Sequence, residues 1–229
     1  MRAATTRLST SDRRERALAL RGLYAITPDL ADTNRLLENV AAALAGGAAA
    51  IQYRNKTAST VLRREHAFAL TALVRSRGAL FIVNDDPELA RDVGADGVHV
   101  GEVDADLGQA RAMLDVAAAI VGVSCYNDFS RAERAKVEGA DYVAFGSFFP
   151  SATKPAARRA GMELLMRARA LGIPVVAIGG ITPENAPLVI NAGADAVAVI
   201  SAVFDAREIE VAARAFTRLF ERPARRSPT

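Results

Sequence analysis

An α/β fold built as one (β/α)8 barrel is predicted by three features of this 229-residue chain: eight short β-rich runs at even spacing, helical segments between them, and a phrase repeated three times. The runs are 23–27, 49–53, 80–84, 97–100, 120–124, 142–146, 175–178 and 196–200. Strands that alternate with helices pair in parallel through right-handed crossovers, and eight such units close on themselves. Several runs, such as Phe81-Ile82-Val83 and Val175-Val176-Ala177-Ile178, are apolar throughout, as strands covered on both faces require. The repeated phrase is Gly94-Ala95-Asp96-Gly97-Val98, Gly139-Ala140-Asp141-Tyr142-Val143 and Gly193-Ala194-Asp195-Ala196-Val197. Each copy ends a helix on glycine, turns, and starts a strand. Its Asp is expected at the amino-terminal floor of the barrel, in a turn and away from chemistry, because barrel active sites occupy the opposite rim.

Half of the residues are apolar, which suffices for one core and leaves no room for a second domain. The expected division is an Arg-rich extension at 1–21, a barrel at 22–221 and a basic tail at 222–229. The net charge of +3 is concentrated at the ends, with +4 in 1–21 and +3 in 222–229, so the body carries −4. Solvated tails are expected, and no basic groove for nucleic acid. An Arg- and Ser-containing amino end also suits a transit peptide, against which Asp12 and Glu15 count. With no long apolar run and no secretory h-region, a soluble, cytoplasmic protein with no membrane partner is expected. Cys125, the one cysteine, reads as a small buried residue at a strand end rather than a catalytic thiol.

The rim that follows the strands holds the candidate chemistry. After the second strand, Gln52, Arg54 and Lys56 alternate onto one side of extended chain, bringing an amide and two cations together. This pattern suits either an anion or a solvated face. The choice of lysine favours an anion, because the chain has 26 Arg and only three Lys, of which Lys56 and Lys154 fall in strand-end loops. Lys136 is expected on the surface of a helix at 128–138. After the third strand comes Asn84-Asp85-Asp86-Pro87. Pro87 suits a first helical position, which makes Asp86 the N-cap and leaves Asp85 without a folding role. The fourth strand leads to Asp104 on the adjacent loop, with Asp106 read as a helix cap. Two carboxylates beside cations suit Mg²⁺, which takes one or two protein oxygens and completes its shell with water and phosphate. Zn²⁺ is disfavoured by the lack of a His or Cys cluster. His99 is read as a hydrogen-bonding structural residue, with substrate contact the alternative. The loop from Gly146 to Pro155 carries hydroxyls and Lys154. Gly179-Gly180 and Ile200-Ser201-Ala202, after strands seven and eight, occupy the usual barrel monophosphate position.

In order, Gln52 to Lys56, Asn84-Asp85-Asp86, Gly97 to Asp104, Pro150 to Lys154, 178–182 and 199–202 closely resemble the thiamine-phosphate synthase family, over roughly residues 22–205. The resemblance implies a transferase of thiamine biosynthesis. It would join 4-amino-2-methyl-5-hydroxymethylpyrimidine diphosphate to a thiazole monophosphate, using Mg²⁺ and releasing pyrophosphate. It further implies that Gln52, Arg54, Lys56, Asn84, Ser124 and Lys154 hold the pyrimidine diphosphate and that Asp85 and Asp104 bind the metal. Ser151, Thr153, Gly180, Ile200 and Ser201 would hold the thiazole phosphate. Arg54, Lys56 and Lys154 are the expected catalytic cations. The chain departs from the family's Gln-Leu-Arg-Glu-Lys at Tyr53 and Asn55, so a carboxylate is missing beside the cations; Ser151 replaces a Thr, and Glu102 a Gln. Two other functions stay open: a thiazole tautomerase on the same barrel, which needs no diphosphate or metal site, and a non-catalytic sensor of phosphorylated ligands. Oligomeric state is left open.

Overall fold

The computed structural model describes residues 10–101, 107–114, 118–150 and 158–221. Eight parallel strands form a closed barrel in sequence order: β1 (Gly22–Ile26), β2 (Ala50–Tyr53), β3 (Leu80–Asn84), β4 (Gly97–Val100), β5 (Ile120–Tyr126), β6 (Tyr142–Phe145), β7 (Val175–Ile178) and β8 (Ala196–Val199). The barrel closes where β8 pairs with β1, Gly22 opposite Ala196 and Ala25 opposite Val199. Helices α2 (Thr33–Ala45), α3 (Thr60–Ser76), α4 (Pro87–Val93), α5 (Leu107–Leu114), α6 (Phe129–Val137), α7 (Met162–Ala168) and α8 (Ala186–Ala192) fill the crossovers, and a short α9 (Ser201–Phe204) and α10 (Ile209–Glu221) follow β8. Several crossover helices start on a capped side chain. Asp32 accepts from Arg35 N, Ser59 from Leu62 N, Asp86 from Leu89 N and Asp128 from Ser130 N. Asp86 is therefore the N-cap its place before Pro87 predicts.

The period of two sorts the strand residues into two cores. Outward residues such as Ile51, Phe81, Val121, Val143, Val175 and Val197 pack under the helices. Cys125 belongs to this layer and is fully buried, and burial pushes its thiol up to about 12. That excludes a thiolate near neutral pH. Inside the barrel lie Tyr24, Ile26, Ala50, Leu80, Ile82, Ile120, Tyr142, Ala144, Val176, Ala196 and Ala198. Small residues on some strands make space for large ones on others. A Cβ on Gly122 would fall 1.9 Å from Cζ of Tyr142, so the tyrosine ring occupies the place of a side chain that β5 lacks.

The three repeated aspartates do sit at the floor, and each clamps the strand before it. Asp96 receives Phe81 N–H on its carboxylate at 2.9 Å while its own N–H donates to Phe81 O at 2.8 Å. Asp141 does the same with Val121, both at 2.8 Å, and Asp195 with Val175 at 2.9 and 2.8 Å. A buried strand end would otherwise leave an N–H without a partner, at a cost of about 1–3 kcal/mol.

The expectation of a wholly solvated extension at 1–21 does not hold for its second half. Helix α1 (Thr10–Leu18) lies under the floor, where Arg13 pairs with Asp141 at 3.2 Å and Arg16 with Asp96 at 2.7 Å. Ala17 and Leu20 are buried in the barrel's inner core and plug its lower mouth. The arginines of this segment balance floor carboxylates, a pairing that a charge count along the chain does not reveal.

Candidate active site

At the carboxyl rim, a cavity of about 320 Å³ opens between the loops after β2 and β3, lined by Tyr53, Arg54, Asn55, Lys56, Ala58, Arg63, Val83, Asn84, Asp85, Asp86 and Leu89. The rim therefore brings Arg54, Lys56, Asn84 and Asp85 together. The β2 loop is fixed by the end of β1. Thr27 Oγ1 donates to Arg54 O at 3.0 Å and accepts from Arg54 N at 2.9 Å, and the Asp29 carboxylate accepts from Lys56 N at 2.9 Å and pairs with Arg54 at 3.4 Å. Asp29 thus supplies a carboxylate beside the two cations from a different loop than Asn55. Asn55 serves the loop itself: its Nδ2 donates to Leu30 O at 2.6 Å, and its oxygen accepts from Thr57 N, Thr57 Oγ1 and Ala58 N. A glutamate could accept these bonds but could not donate to Leu30, a physical reason for the amide here.

Asn84 donates to the Asp85 carboxylate at 2.5 Å, and Asp85 N bonds to His99 O at 2.8 Å, continuing the β3–β4 ladder past its last strand residue. Asp85 stands at φ 60°, a left-handed conformation that costs energy in any residue with a Cβ and least in Asn and Asp. Arg63, from α3, adds a third cation to the cavity wall, 3.9 Å from Asp86.

Gln52 and Ser124 sit apart from that cavity, inside the barrel mouth, joined by a chain of hydrogen bonds that is buried as far as His99 and half-buried at Ser124. Gln52 Nε2 donates to Tyr24 OH at 2.8 Å, Tyr24 OH meets Tyr142 OH at 2.9 Å, Tyr142 OH meets His99 Nδ1 at 3.0 Å, and His99 Nε2 meets Ser124 Oγ at 2.9 Å. His99 also stacks on Tyr142, with ring centroids 5.5 Å apart. This bears out a structural hydrogen-bonding role for His99. Burial lowers its pKa to about 4, so it is neutral at pH 7. Arg131 secures the outer side of the same strands, its Nε donating to Ser124 O at 2.7 Å and a terminal nitrogen to Gly101 O at 3.0 Å.

His99 makes the protein acid-sensitive in a defined window. The unfolded imidazole takes a proton below about 6.5 and the folded one only below about 4, so stability is undiminished above 6.5 and falls as pH drops toward 4. His99 alone should withdraw about 3 kcal/mol between pH 7 and 4. Urea unfolding at both pH values should show a smaller loss in His99→Gln than in the wild type; equal losses would refute the assignment.

After β6 and β7 the two loops pack on each other. Phe148 N donates to Ile178 O at 3.2 Å and Phe149 N to Gly179 O at 3.0 Å. Gly179 and Gly180 have φ 102° and 63°, and a Cβ on Gly180 would lie 2.1 Å from Pro150 O. The close approach that this glycine pair permits is made, in the chain itself, by residues 147–150. Asn185 holds the turn, its side chain accepting from Thr182 N at 2.9 Å and donating to Gly180 O at 3.0 Å. Ile200 packs at the top of the inner core and Ser201 opens α9. Asp104, Ser151, Thr153 and Lys154, with Glu102 and Asp106, lie outside the described residues.

Sequence reasoning missed Thr27, Asp29, Arg63, Arg131 and the two tyrosines. Thr27-Pro28-Asp29 follows the first strand and could have been found by treating that rim like the others. Arg63 and Arg131 lie on helices, where nothing in the sequence distinguishes an arginine that turns back to the rim from one in solvent.

The thiamine monophosphate synthase model matches residues 23–203. A thiamine-phosphate synthase of Thiobacillus denitrificans is 54% identical over 200 residues, covering 87% of this chain and 94% of the relative. One of Methylobacillus flagellatus is 53% identical, covering 88% and 96%. Among solved structures, a thiamine phosphate pyrophosphorylase from Pyrococcus furiosus superposes with a TM-score of 0.80 at 39% identity, covering 90% of this chain and 98% of that one. With a match over residues 23–203 and relatives above half identity, this chain belongs to the thiamine monophosphate synthase family.

Proposed function

We infer that the chain is a thiamine-phosphate synthase, a transferase that joins 4-amino-2-methyl-5-hydroxymethylpyrimidine diphosphate to a thiazole monophosphate and releases pyrophosphate. The observation that carries this reading is the meeting of Arg54, Lys56, Asn84 and Asp85 in one rim cavity, beside the polar barrel mouth that Gln52 and Ser124 line. Arg54 and Lys56 grip the diphosphate and, with Lys154, neutralise the charge that grows on it as the methylene carbon–oxygen bond breaks. Gln52 and Ser124 hold the pyrimidine, whose amino-substituted ring spreads the positive charge left on the methylene. The thiazole nitrogen then closes the new carbon–nitrogen bond. Ser151, Thr153, Gly180, Ile200 and Ser201 hold the thiazole phosphate beside it. Positioning and electrostatics do the work, so no side-chain nucleophile is needed.

Among the described residues no group of three or more His, Cys, Asp or Glu could hold a metal. A site of one or two carboxylates shared with a bound phosphate is nevertheless what Mg²⁺ prefers, and Asp85, beside the cavity cations, fits it. Asp85 and Asp104 would hold Mg²⁺, which supplies further charge neutralisation on the diphosphate when bound. We take 22–221 as the catalytic barrel, with α1 of the 1–21 extension closing its floor and 222–229 as a tail. Among the described residues no helix is long and apolar enough to cross a membrane. A cytoplasmic setting, with the two phosphorylated substrates as partners, is part of the same proposal.

The test is incubation of the purified full chain with both substrates and Mg²⁺. Stoichiometric pyrophosphate and thiamine phosphate are expected. Isomerisation of the thiazole phosphate alone, or binding without turnover, would replace this reading by the tautomerase or the sensor.

A further inference from the structure

Five residues from five strands form an unbroken hydrogen-bonded line across the barrel, from Gln52 on β2 through Tyr24 on β1, Tyr142 on β6 and His99 on β4 to Ser124 on β5. Its three middle members are buried, and so is Gln52. We propose that this line is a one-way relay in which Tyr24, Tyr142 and His99 act as positioning residues, fixing the Ser124 hydroxyl as a hydrogen-bond donor to an acceptor nitrogen of the pyrimidine. The proposal rests on the reading that Gln52 and Ser124 meet that ring.

The direction follows from proton bookkeeping. Each tyrosine hydroxyl has one proton to give. Gln52 Nε2–H donates to Tyr24 OH, so the Tyr24 proton goes to Tyr142 OH, and the Tyr142 proton in turn goes to His99 Nδ1. With Nδ1 accepting, neutral His99 carries its proton on Nε2 and gives it to Ser124 Oγ. Ser124 has then accepted within the protein, and its own proton is left for the ligand. Burial raises the pKa of both tyrosines, which keeps them protonated as the line requires. Turning one member round turns them all, so specificity at Ser124 is set from Gln52.

Two measurements on the full chain test this. With only His66 and His99 present, ¹⁵N-histidine labelling gives two ring spectra, assigned with His99→Gln. At pH 7 without substrate, His99 is expected as the Nε2–H tautomer, and Tyr142→Phe or Tyr24→Phe should mix the tautomers. A wild-type Nδ1–H tautomer, or no response to either substitution, overturns the relay. In calorimetric titrations with the pyrimidine diphosphate alone, each Tyr→Phe should weaken binding about five- to tenfold, as loss of one hydrogen bond does. The double variant should lose no more than a single one, because the residues act in series. Additive losses would mean packing and defeat the proposal. If the assigned reaction were wrong, the wild type would release no pyrophosphate with both substrates, while the tautomer result would still decide the relay.

Discussion

Replacing Asp85 by Asn is expected to lower the rate of pyrophosphate release a hundred- to a thousandfold, the scale on which one preorganised charge contact contributes to a polar transition state (about 10² to 10³). Asn is the informative substitute because the site constrains the backbone. At φ 60° an alanine would be strained, whereas asparagine tolerates the left-handed conformation and keeps an oxygen for the Asn84 amide. The change removes charge and little else, so the urea midpoint should hold while turnover collapses. Initial rates over a Mg²⁺ titration measure it. Near-native turnover at saturating Mg²⁺ would remove Asp85 from the mechanism.

The second large effect is structural in origin and functional in outcome. Gly180→Ala meets two penalties together. Alanine at φ 63° costs on the order of 1 kcal/mol, and its Cβ would stand 2.1 Å from Pro150 O and 2.7 Å from Phe149 O. Both obstacles are main-chain atoms that no rotamer change relieves. The 147–150 segment must move, and stability should fall by about 2–3 kcal/mol. Because that segment leads into Ser151 and Thr153, KM for the thiazole phosphate should rise tenfold or more. Binding of the pyrimidine diphosphate, measured alone, should change far less. Steady-state kinetics and urea unfolding of one preparation give both numbers; unchanged KM and stability would show that the two loops do not depend on this contact.

Much of the barrel could be read from the chain because its signals are local. Short apolar runs bounded by Gly, Asp and Pro place β3, β4 and β7 with the observed ends, and Asp86-Pro87 announces its own helix. The floor aspartates were legible as turn residues, but not as clamps, since each clamp depends on parallel pairing with a strand 20 residues away or fewer. The rim cations were legible from their alternation and from the scarcity of lysine, and Asp85 because the cap at Asp86 left it without a folding role. The relay was not. Tyr24 and Tyr142 read as ordinary strand residues, and their contact spans 118 positions and exists only because the closed sheet brings β1 and β6 face to face across the interior. Asn55 was read as a missing charge at the site. Its bonds to Leu30, Thr57 and Ala58 make it the core of its own loop instead, while Asp29 supplies the neighbouring carboxylate from a stretch that showed no periodicity.

The floor clamps group the strands in twos, β3 with β4, β5 with β6 and β7 with β8, each couple tied by a single aspartate that both gives and takes a bond. Two of these aspartates also reach forward, Asp96 O accepting from Ile120 N at 2.9 Å and Asp195 O from Gly22 N at 3.0 Å, so these two couples are laced to the next strand around the barrel and a loosened clamp would be felt beyond its own couple.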